Sequence, residues 1–284
     1  MRKVVFILST NYAGSHLLSQ LLGAHSECRS VGELHNLLKY LTRKDSTRDV
    51  DNEYATHPAF DGLAKLEPTH WHLQVFANLA PNARVSTLVD NSKRPEWARR
   101  FLANGVFECR YVHLLRDPRA LVWRWLSTYS TSREKRRQRI RLFRAAPRLL
   151  ATALSGDDTR VYTYKWLVAN ERITEFLAGH QSLSSIVTYC DIATDTDRTL
   201  TNLMPRLGLE FEPTQLAFGT AMSGTSKRRY AAQMEDSLIA RDTRWRDELA
   251  TKQVEAITSN RDVGRYLGSL GLEMTSEGLS RVAS

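Results

Sequence analysis

The chain has 284 residues, of which 42% are hydrophobic and 25% are charged. These values are typical of a globular protein with one large core, or one core and a helical subdomain. Forty basic residues against 31 acidic ones give a formal net charge of +9, which favours an anionic ligand or partner. No apolar run approaches the roughly 18 residues that span a bilayer, and a strand predicted at 3–9 leaves no room for a signal peptide. We therefore expect a cytoplasmic protein.

The beginning of the chain predicts a phosphate site. An apolar strand at 3–9 is followed by a loop that contains Gly14 and by a helix with a leucine face at 16–24. Backbone N–H groups converge where such a loop meets a helix N-terminus, and the helix dipole favours an anion there. Because no lysine follows Gly14, the loop does not match that of the nucleoside triphosphatases, and its cations must come from elsewhere in the chain.

Strands and helices alternate along the rest of the sequence. Further strands are predicted at 85–89, 110–115 and 185–190, and further helices at 95–103, 118–130, 160–178 and 197–207. This alternation predicts a single α/β domain over 1–284, with a P-loop-like central parallel sheet flanked by helices. We expect a helical insertion at about 130–180 and a long functional loop at about 219–245.

Polar clusters follow three of the predicted strands, at 11–16, 90–93 and 116–119. Ligands of parallel sheets bind at the carboxyl ends of the strands, so these clusters should line one crevice. Lys93 is positioned to reach an anion there, and the planar fork of Arg116 suits a phosphate. Arg124, two helical turns later, is a candidate for the same ligand. The alternatives are that Lys93 is an ordinary surface lysine and that Arg116 pairs with a carboxylate inside the fold.

The segment 133–148 contains eight Lys or Arg residues and one acid, Glu134. It is either a solvated basic face or a contact for an anionic acceptor or membrane surface. It shows no aromatic interleaving and no nucleic-acid-binding module, so we expect no nucleic-acid partner. The three cysteines, Cys28, Cys109 and Cys190, follow no metal-ligand spacing and are predicted to be buried free thiols, with no metal site.

Several segments, each weak alone, together resemble the sulfotransferases that use 3′-phosphoadenosine 5′-phosphosulfate (PAPS). Residues 9–26, Ser-Thr-Asn-Tyr-Ala-Gly-Ser-His-Leu-Leu-Ser-Gln-Leu-Leu-Gly-Ala-His-Ser, resemble the family's 5′-phosphosulfate loop. Residues 112–127, Val-His-Leu-Leu-Arg-Asp-Pro-Arg-Ala-Leu-Val-Trp-Arg-Trp-Leu-Ser, resemble its 3′-phosphate segment. Asp-Asn-Ser-Lys-Arg-Pro at 90–95 and Val-Gly-Glu-Leu at 31–34 resemble motifs of its bacterial, carbohydrate and tyrosylprotein branches.

The resemblance implies a PAPS-dependent transfer to a hydroxyl of a carbohydrate, glycolipid or small natural product, with the bisphosphate PAP as product. Glu33 is implied as the general base, with His35 as second candidate, and Lys93 as the residue that neutralises the leaving oxygen. Arg116 is implied to hold the 3′-phosphate. The remaining cofactor-binding residues implied are Asn11, Tyr12, Ala13, Gly14, Ser15, His16, Arg124, Lys227 and Arg228.

Three positions depart from the family pattern. The family usually has Lys or Arg where this chain has Tyr12, Thr where it has His16, and Ser where it has Arg124. Two other functions therefore stay open. One is a non-catalytic PAPS- or PAP-binding relative that docks on a partner through 133–148. The other is a nucleotide phosphotransferase, which the missing lysine after Gly14 disfavours.

Overall fold

Five parallel strands form the central sheet, in the order β2–β3–β1–β4–β5. The strands are β1 (Lys3–Ser9), β2 (Cys28–Gly32), β3 (Thr87–Lys93), β4 (Glu108–Leu115) and β5 (Ser184–Thr188). A separate antiparallel hairpin consists of β6 (Leu272–Thr275) and β7 (Gly278–Arg281). These elements come from a computed structural model, which describes residues 2–41, 54, 57–81, 84–217, 239 and 241–282.

Helices cover both faces of the sheet, which confirms the predicted fold class. They are α1 (Ser15–Gly23), α2 (Leu37–Leu41), α3 (Trp71–Asn78), α4 (Pro95–Ala98), α5 (Pro118–Thr128), α6 (Ser132–Ala145), α7 (Leu150–Leu154), α8 (Asp158–Leu177), α9 (Tyr189–Thr194), α10 (Thr196–Leu203), α11 (Trp245–Glu248), α12 (Thr251–Thr258) and α13 (Arg261–Ser269). Short 3₁₀ helices lie at Leu34–Asn36, Pro58–Phe60, Leu63–Lys65, Pro68–His70, Arg99–Asn104, Pro147–Leu149, Gln181–Leu183, Met204–Leu207 and Pro213–Ala217.

The apolar run of β1 explains why the sheet is covered on both faces. Every residue of β1 is buried. Val5 and Ile7 pack with the leucines of α1, whereas Phe6 and Leu8 pack on the opposite face with Trp71 of α3. A strand buried on both sides reads as a continuous apolar run, as this one does. Because β1 lies between β3 and β4, the loop that follows it lies at the middle of the sheet edge.

Two strand boundaries differ from the sequence prediction and affect the candidate site. The strand predicted at 85–89 runs from Thr87 to Lys93, so 90–93 belongs to the strand rather than to a turn after it. These polar residues are buried because they pair with β1 and β2 across an irregular register. The strand predicted at 185–190 ends at Thr188, and Tyr189 begins α9.

Three helices, α6, α7 and α8, occupy the segment in which a helical insertion is predicted. A capping box begins α6, because Thr131 Oγ1 accepts from the N–H of Glu134 and the Glu134 carboxylate accepts from the N–H of Thr131. The long helix α8 packs against β1 and β4, so it also covers the sheet.

The three cysteines are buried free thiols, as predicted. Burial, the largest cause, raises the pKa of the Cys28 thiol to about 12. Within the described ranges, no helix is long and apolar enough to cross a membrane. The same residues contain no group of three or more His, Cys, Asp or Glu side chains that could hold a metal ion.

Candidate active site

The loop between β1 and α1 is a tight turn with two residues in the left-handed region. The N–H of Ala13 donates to the carbonyl of Thr10 at 3.3 Å. Tyr12 has a φ of 71° and Gly14 a φ of 100°. A Cβ at Gly14 would lie 2.7 Å from the ring of Tyr189, so only glycine fits there. The loop therefore enters the N-terminus of α1 in a fixed shape, which is suited to binding an anion.

A carboxylate with three hydrogen-bond donors lies beside the first turn of α1. His16 Nε2 and Lys93 Nζ both donate to Glu33 Oε1, the former at 3.1 Å. Asn36 Nδ2 donates to Glu33 Oε2 at 2.9 Å. Glu33 directly follows β2, Lys93 ends β3 and His16 lies in α1, so three elements supply this cluster. The predicted site residues Glu33, Lys93 and His16 are thus in direct contact.

The surroundings of Glu33 keep its carboxyl ionised. Burial raises its pKa, but the hydrogen bond from His16 and the charge of Lys93 together outweigh burial and hold the pKa well below its ordinary value. Burial also lowers the pKa of the Lys93 ammonium, a shift that Glu33 opposes. Lys93 is 9% exposed and has a φ of 69°. It is therefore not an ordinary surface lysine, and its backbone adopts a conformation that is often found at functional sites.

His35 lies next to this cluster but does not hydrogen-bond to Glu33 through its ring. Its backbone N–H donates to Ser92 Oγ at 3.2 Å, and its ring lies 6.4 Å from that of Trp97. Within the described part of the chain, neither ring nitrogen has a hydrogen-bond partner. Burial, aided by the charge of Arg94, lowers the pKa of His35 to about 4. The imidazole is thus neutral at pH 7 and has a nitrogen able to accept a proton.

Arg116 contacts the loop from the side of β4. Its Nη1 donates to the carbonyl of Tyr12 at 2.8 Å, and its guanidinium lies 4.5 Å from the centre of the Tyr189 ring. Its Nη2 donates to Asp242 Oδ2 at 2.9 Å. The pairing of Arg116 with a carboxylate, which the sequence leaves open, therefore occurs. Burial raises the pKa of Asp242, but bonds from Arg244 and Arg116 outweigh it and lower the pKa to about 2.

Arg124 reaches the same loop from α5. Its guanidinium lies 5.3 Å from the centre of the Tyr12 ring, a cation–π distance. Arg116 and Arg124 thus contact one loop residue, the first at its carbonyl and the second at its ring. A positive charge therefore lies over the phenol at the position where the family usually has Lys or Arg.

Several buried polar atoms at this edge of the sheet have no partner among the described residues. They are Ser9 Oγ at the end of β1, both side-chain polar atoms of Asn91 in β3, and Nε of Arg116 just after β4. Unpaired buried polar atoms are rare in native proteins. Together with the loop N–H groups, Lys93 and Arg116, they form a set of polar and positive groups that suits an anionic ligand.

Sequence reasoning misses Tyr189, Arg241 and Asp242, which line a cleft together with Arg116, Cys190 and Trp245. Tyr189 follows the carboxyl end of β5, which is the signal that identifies the other clusters. Arg241 and Asp242 lie within the predicted functional loop at about 219–245, and Asp242 stands three residues before Trp245. Lys227 and Arg228, the predicted basic residues of that loop, lie outside the described residues.

A protein-family model described as the sulfotransferase family matches residues 4–213. The chain belongs to the sulfotransferase family. The matched range includes the β1–α1 loop, Glu33, Lys93, Arg116 and Arg124, but ends before Asp242. No curated protein gives a significant match.

Solved structures of sulfotransferase domains have a similar fold. A sulfotransferase domain from the curacin biosynthetic pathway is 18% identical, with a TM-score of 0.55 over 95% of this chain and 98% of that chain. A sulfotransferase domain from the Synechococcus PCC 7002 olefin synthase is 19% identical, with a TM-score of 0.55 over 88% of this chain and 89% of that chain. At these identities the two likenesses show the fold.

Proposed function

We propose that this protein transfers a sulfuryl group from PAPS to a hydroxyl of a carbohydrate, glycolipid or small natural product. The observation that carries the proposal is the meeting of three chain segments at the β1–α1 loop. Lys93 donates to Glu33, Glu33 accepts from His16 at the start of α1, and Arg116 donates to the carbonyl of Tyr12. Family membership supplies the reaction class, and the paired cations supply a site for a donor that carries several negative charges.

In this proposal the chain holds the donor by its two anionic ends. The loop N–H groups from Tyr12 to His16 bind the 5′-phosphosulfate, and Arg116 binds the 3′-phosphate with Arg124 beside it. PAPS supplies the activated sulfuryl group and a phosphate leaving group, which needs charge stabilisation more than protonation. Lys93, already next to the loop, stabilises the oxygen on which that charge develops.

Glu33 is the proposed general base that takes the proton of the acceptor hydroxyl as it attacks sulfur in line. Its carboxyl is ionised, as a base requires, although its low pKa weakens it. A donor that draws Lys93 and His16 towards its own charges would remove the two bonds that depress this pKa. His35 is the second candidate base, because its neutral ring has nitrogens without partners in the described ranges.

The positive charges at the β1–α1 loop distinguish the proposed function from the two alternatives. A non-catalytic PAP-binding relative is suggested by Tyr12, but Arg124 lies over the Tyr12 ring and keeps a cation there. A nucleotide phosphotransferase is disfavoured by the missing lysine after Gly14. We therefore expect selectivity for a 3′-phosphorylated nucleotide over ATP.

Calorimetric titration with adenosine 3′,5′-bisphosphate and, separately, with ATP tests the proposal. We expect micromolar binding of the bisphosphate, none of ATP, and loss of binding in Arg116→Ala. Arg148→Ala is the matched control, because Arg148 is an exposed arginine of the basic segment that pairs with Glu171. Thermal melting of each variant confirms that it is folded. Equal bisphosphate binding in Arg116→Ala and wild type, or tighter binding of ATP, would contradict the proposal.

We also propose that the basic segment contacts an anionic surface. The exposed basic and apolar residues of α6, which we refer to as the basic face, are Arg133, Arg136, Arg137, Ile140, Arg141, Phe143 and Arg144. Arginines around two exposed apolar side chains are typical of helices that lie on anionic membranes.

A further inference from the structure

Three aromatic rings surround the ammonium group of Lys165. This lysine has no role in the function proposed above. Lys165 Nζ lies 4.1 Å from the centre of the Trp125 ring, 4.7 Å from that of Tyr129 and 5.6 Å from that of Tyr162. The lysine and Tyr162 belong to α8, Trp125 belongs to α5, and Tyr129 directly follows α5. We refer to these four residues as the aromatic cage.

The amino group of Lys165 lacks a carboxylate partner in the described part of the chain. Arg141 of α6 is a second cation near Lys165. Two acids near the cage rings are bound elsewhere: Glu134, near Tyr129 and Tyr162, accepts from Thr131, and Asp158, near Tyr162, pairs with Lys135 and Arg139. Burial, with a contribution from Arg141, lowers the pKa of Lys165 to about 7. A charged group that is largely removed from water without a counter-ion is costly to the fold.

Two walls of the cage also contain hydrogen-bond donors without acceptors. Trp125 and Tyr162 are each 1% exposed. Within the described residues, neither Trp125 Nε1 nor Tyr162 Oη has a hydrogen-bond partner. An indole N–H can only donate, and a phenol O–H usually finds a partner when it is buried. The neighbouring side chains of the cage thus contain an ammonium and two donors without partners among the described residues, a donor set that suits an oxyanion.

The cage lies next to the candidate active site. Burial is the largest cause of the raised pKa of Tyr129, and the Tyr12 phenol is the second. Tyr129 therefore lies close to Tyr12. Tyr12 is 40% exposed and also carries the guanidinium of Arg124 over its ring. A molecule bound at the cage would therefore border the β1–α1 loop, where the donor is proposed to bind.

We propose that the aromatic cage binds an oxyanion, a carboxylate or a phosphate, on the acceptor molecule. Acceptors of this protein would then carry a negative group as well as the hydroxyl that is sulfated. A bound anion favours the charged form of Lys165, which then supplies the positive charge. Trp125 and Tyr162 supply hydrogen bonds, and the rings exclude water. This inference rests on the proposed function for the identity of the ligand as an acceptor, but the binding site itself does not.

The first test is calorimetric titration of the nucleotide-free protein with benzoate and with phenyl phosphate, with benzyl alcohol as the neutral control. We expect the wild type to bind one or both anions and not the alcohol. Loss of a hydrogen-bonded charge should weaken that binding at least about tenfold in Lys165→Met. Lys252→Met, at an exposed lysine of α12, is the matched control and should bind as the wild type does.

Further variants separate the cage from the nucleotide site. Arg116→Ala should retain benzoate binding, and Lys165→Met should retain bisphosphate binding. Trp125→Phe keeps an aromatic wall but loses the N–H, and should weaken anion binding less than Lys165→Met does. Equal anion binding in Lys165→Met and wild type, or no binding by the wild type, would overturn the proposal. Either result would leave the cage as a structural shield for the lysine.

The second test links the cage to the reaction. With PAPS as donor, 4-hydroxyphenylacetate and its amide form a matched pair of acceptors that differ in one charge. We expect kcat/KM to favour the acid by about tenfold in the wild type and in Lys252→Met, and this preference to vanish in Lys165→Met. If the protein binds benzoate or phenyl phosphate at the cage but does not bind adenosine 3′,5′-bisphosphate, the proposed function is rejected. The cage would then remain as an anion-binding site. A preference for the amide would reject the cage as an acceptor site.

Discussion

The carboxylate of Asp242 occupies one side of the Arg116 guanidinium and so competes with any phosphate for it. Asp242→Asn removes the charge and keeps the size of the side chain. We expect its affinity for adenosine 3′,5′-bisphosphate to rise by about tenfold, because the phosphate no longer displaces an anion from Arg116. Calorimetry measures the change.

Glu277→Gln is the control for this substitution. Glu277 lines the same cleft but pairs with Arg241 and Arg246 rather than with Arg116. The Glu277→Gln variant should bind adenosine 3′,5′-bisphosphate with the same affinity as the wild type. If Asp242→Asn also leaves the affinity unchanged, Asp242 does not compete for the arginine and the phosphate binds elsewhere.

Glu33 and Lys93 form an ion pair that is largely removed from water. Glu33→Gln leaves the lysine without its main counter-charge, and we expect it to lower the free energy of unfolding by about 2 kcal/mol. Adding Lys93→Met should restore most of that loss, since the uncompensated charge is then absent. Urea unfolding of both single variants and the double variant measures the coupling. Additive effects of the two substitutions would show that the pair is not coupled.

His113 of β4 is fully buried, and its Nε2 donates to Asn170 Oδ1 at 3.1 Å. Burial, which the bond to Asn170 opposes, lowers its pKa from 6.5 to about 4. Between these values the unfolded chain binds a proton that the folded protein does not, so stability falls as pH falls from 6.5 to 4. When the pH is lowered from 7 to 5, the free energy of unfolding should fall by about 2 kcal/mol less in His113→Gln than in the wild type. An identical pH dependence in urea titrations would exclude His113 as the cause.

Some residues of the candidate site can be predicted from the sequence and others cannot. Lys93 and Arg116 are predicted because each ends or follows a strand of a parallel sheet, where ligands bind. Asp242 is 126 residues from Arg116, and no periodic pattern links them. The aromatic cage also needs the packing of α5 against α8, so tryptophan and tyrosine in the sequence indicate only core.

The strand–loop–helix element at the start of the chain depends on Gly14. Gly14→Ala forces a side chain into a φ of 100° and against the Tyr189 ring. We expect a loss of at least about 2 kcal/mol in stability and a clear loss of bisphosphate affinity, because the loop must shift. Gly62→Ala is the matched control, since it has a φ of 77° but nothing within 4 Å of the added Cβ. It should cost about 1 kcal/mol and keep nucleotide affinity. Equal effects of the two substitutions would assign the cost to backbone strain alone.

At the scale of elements, the sequence predicts what is apolar and periodic. It identifies β1 and β4 because they are continuous apolar runs, and α1, α5 and α8 because their apolar residues recur with the helical period. It does not identify β2, in which only Cys28 and Val31 are buried, nor the β6–β7 hairpin. It ends β3 too early because buried polar residues in a strand look like a turn.

At the scale of the whole molecule, a positive charge excess and the basic face predict attraction to anionic surfaces. We expect the protein to sediment with vesicles that contain phosphatidylserine but not with pure phosphatidylcholine, and high salt to release it. Phe143→Ser should weaken this binding, since Phe143 is 39% exposed among the arginines. Leu102→Ser, at a side chain 37% exposed in the segment after α4, is the control. Binding that ignores lipid charge would contradict this prediction.

The central position of β1 in the sheet also affects how the chain folds during and after synthesis. Lys3 pairs with Thr87 on one side and with Glu108 on the other. During synthesis the run Val-Val-Phe-Ile-Leu therefore emerges long before either strand that covers its edges. Until then it is an unpaired, strongly apolar strand, which favours contact between chains. We therefore expect slow refolding that is sensitive to protein concentration, because the central strand can be completed only by distant partners.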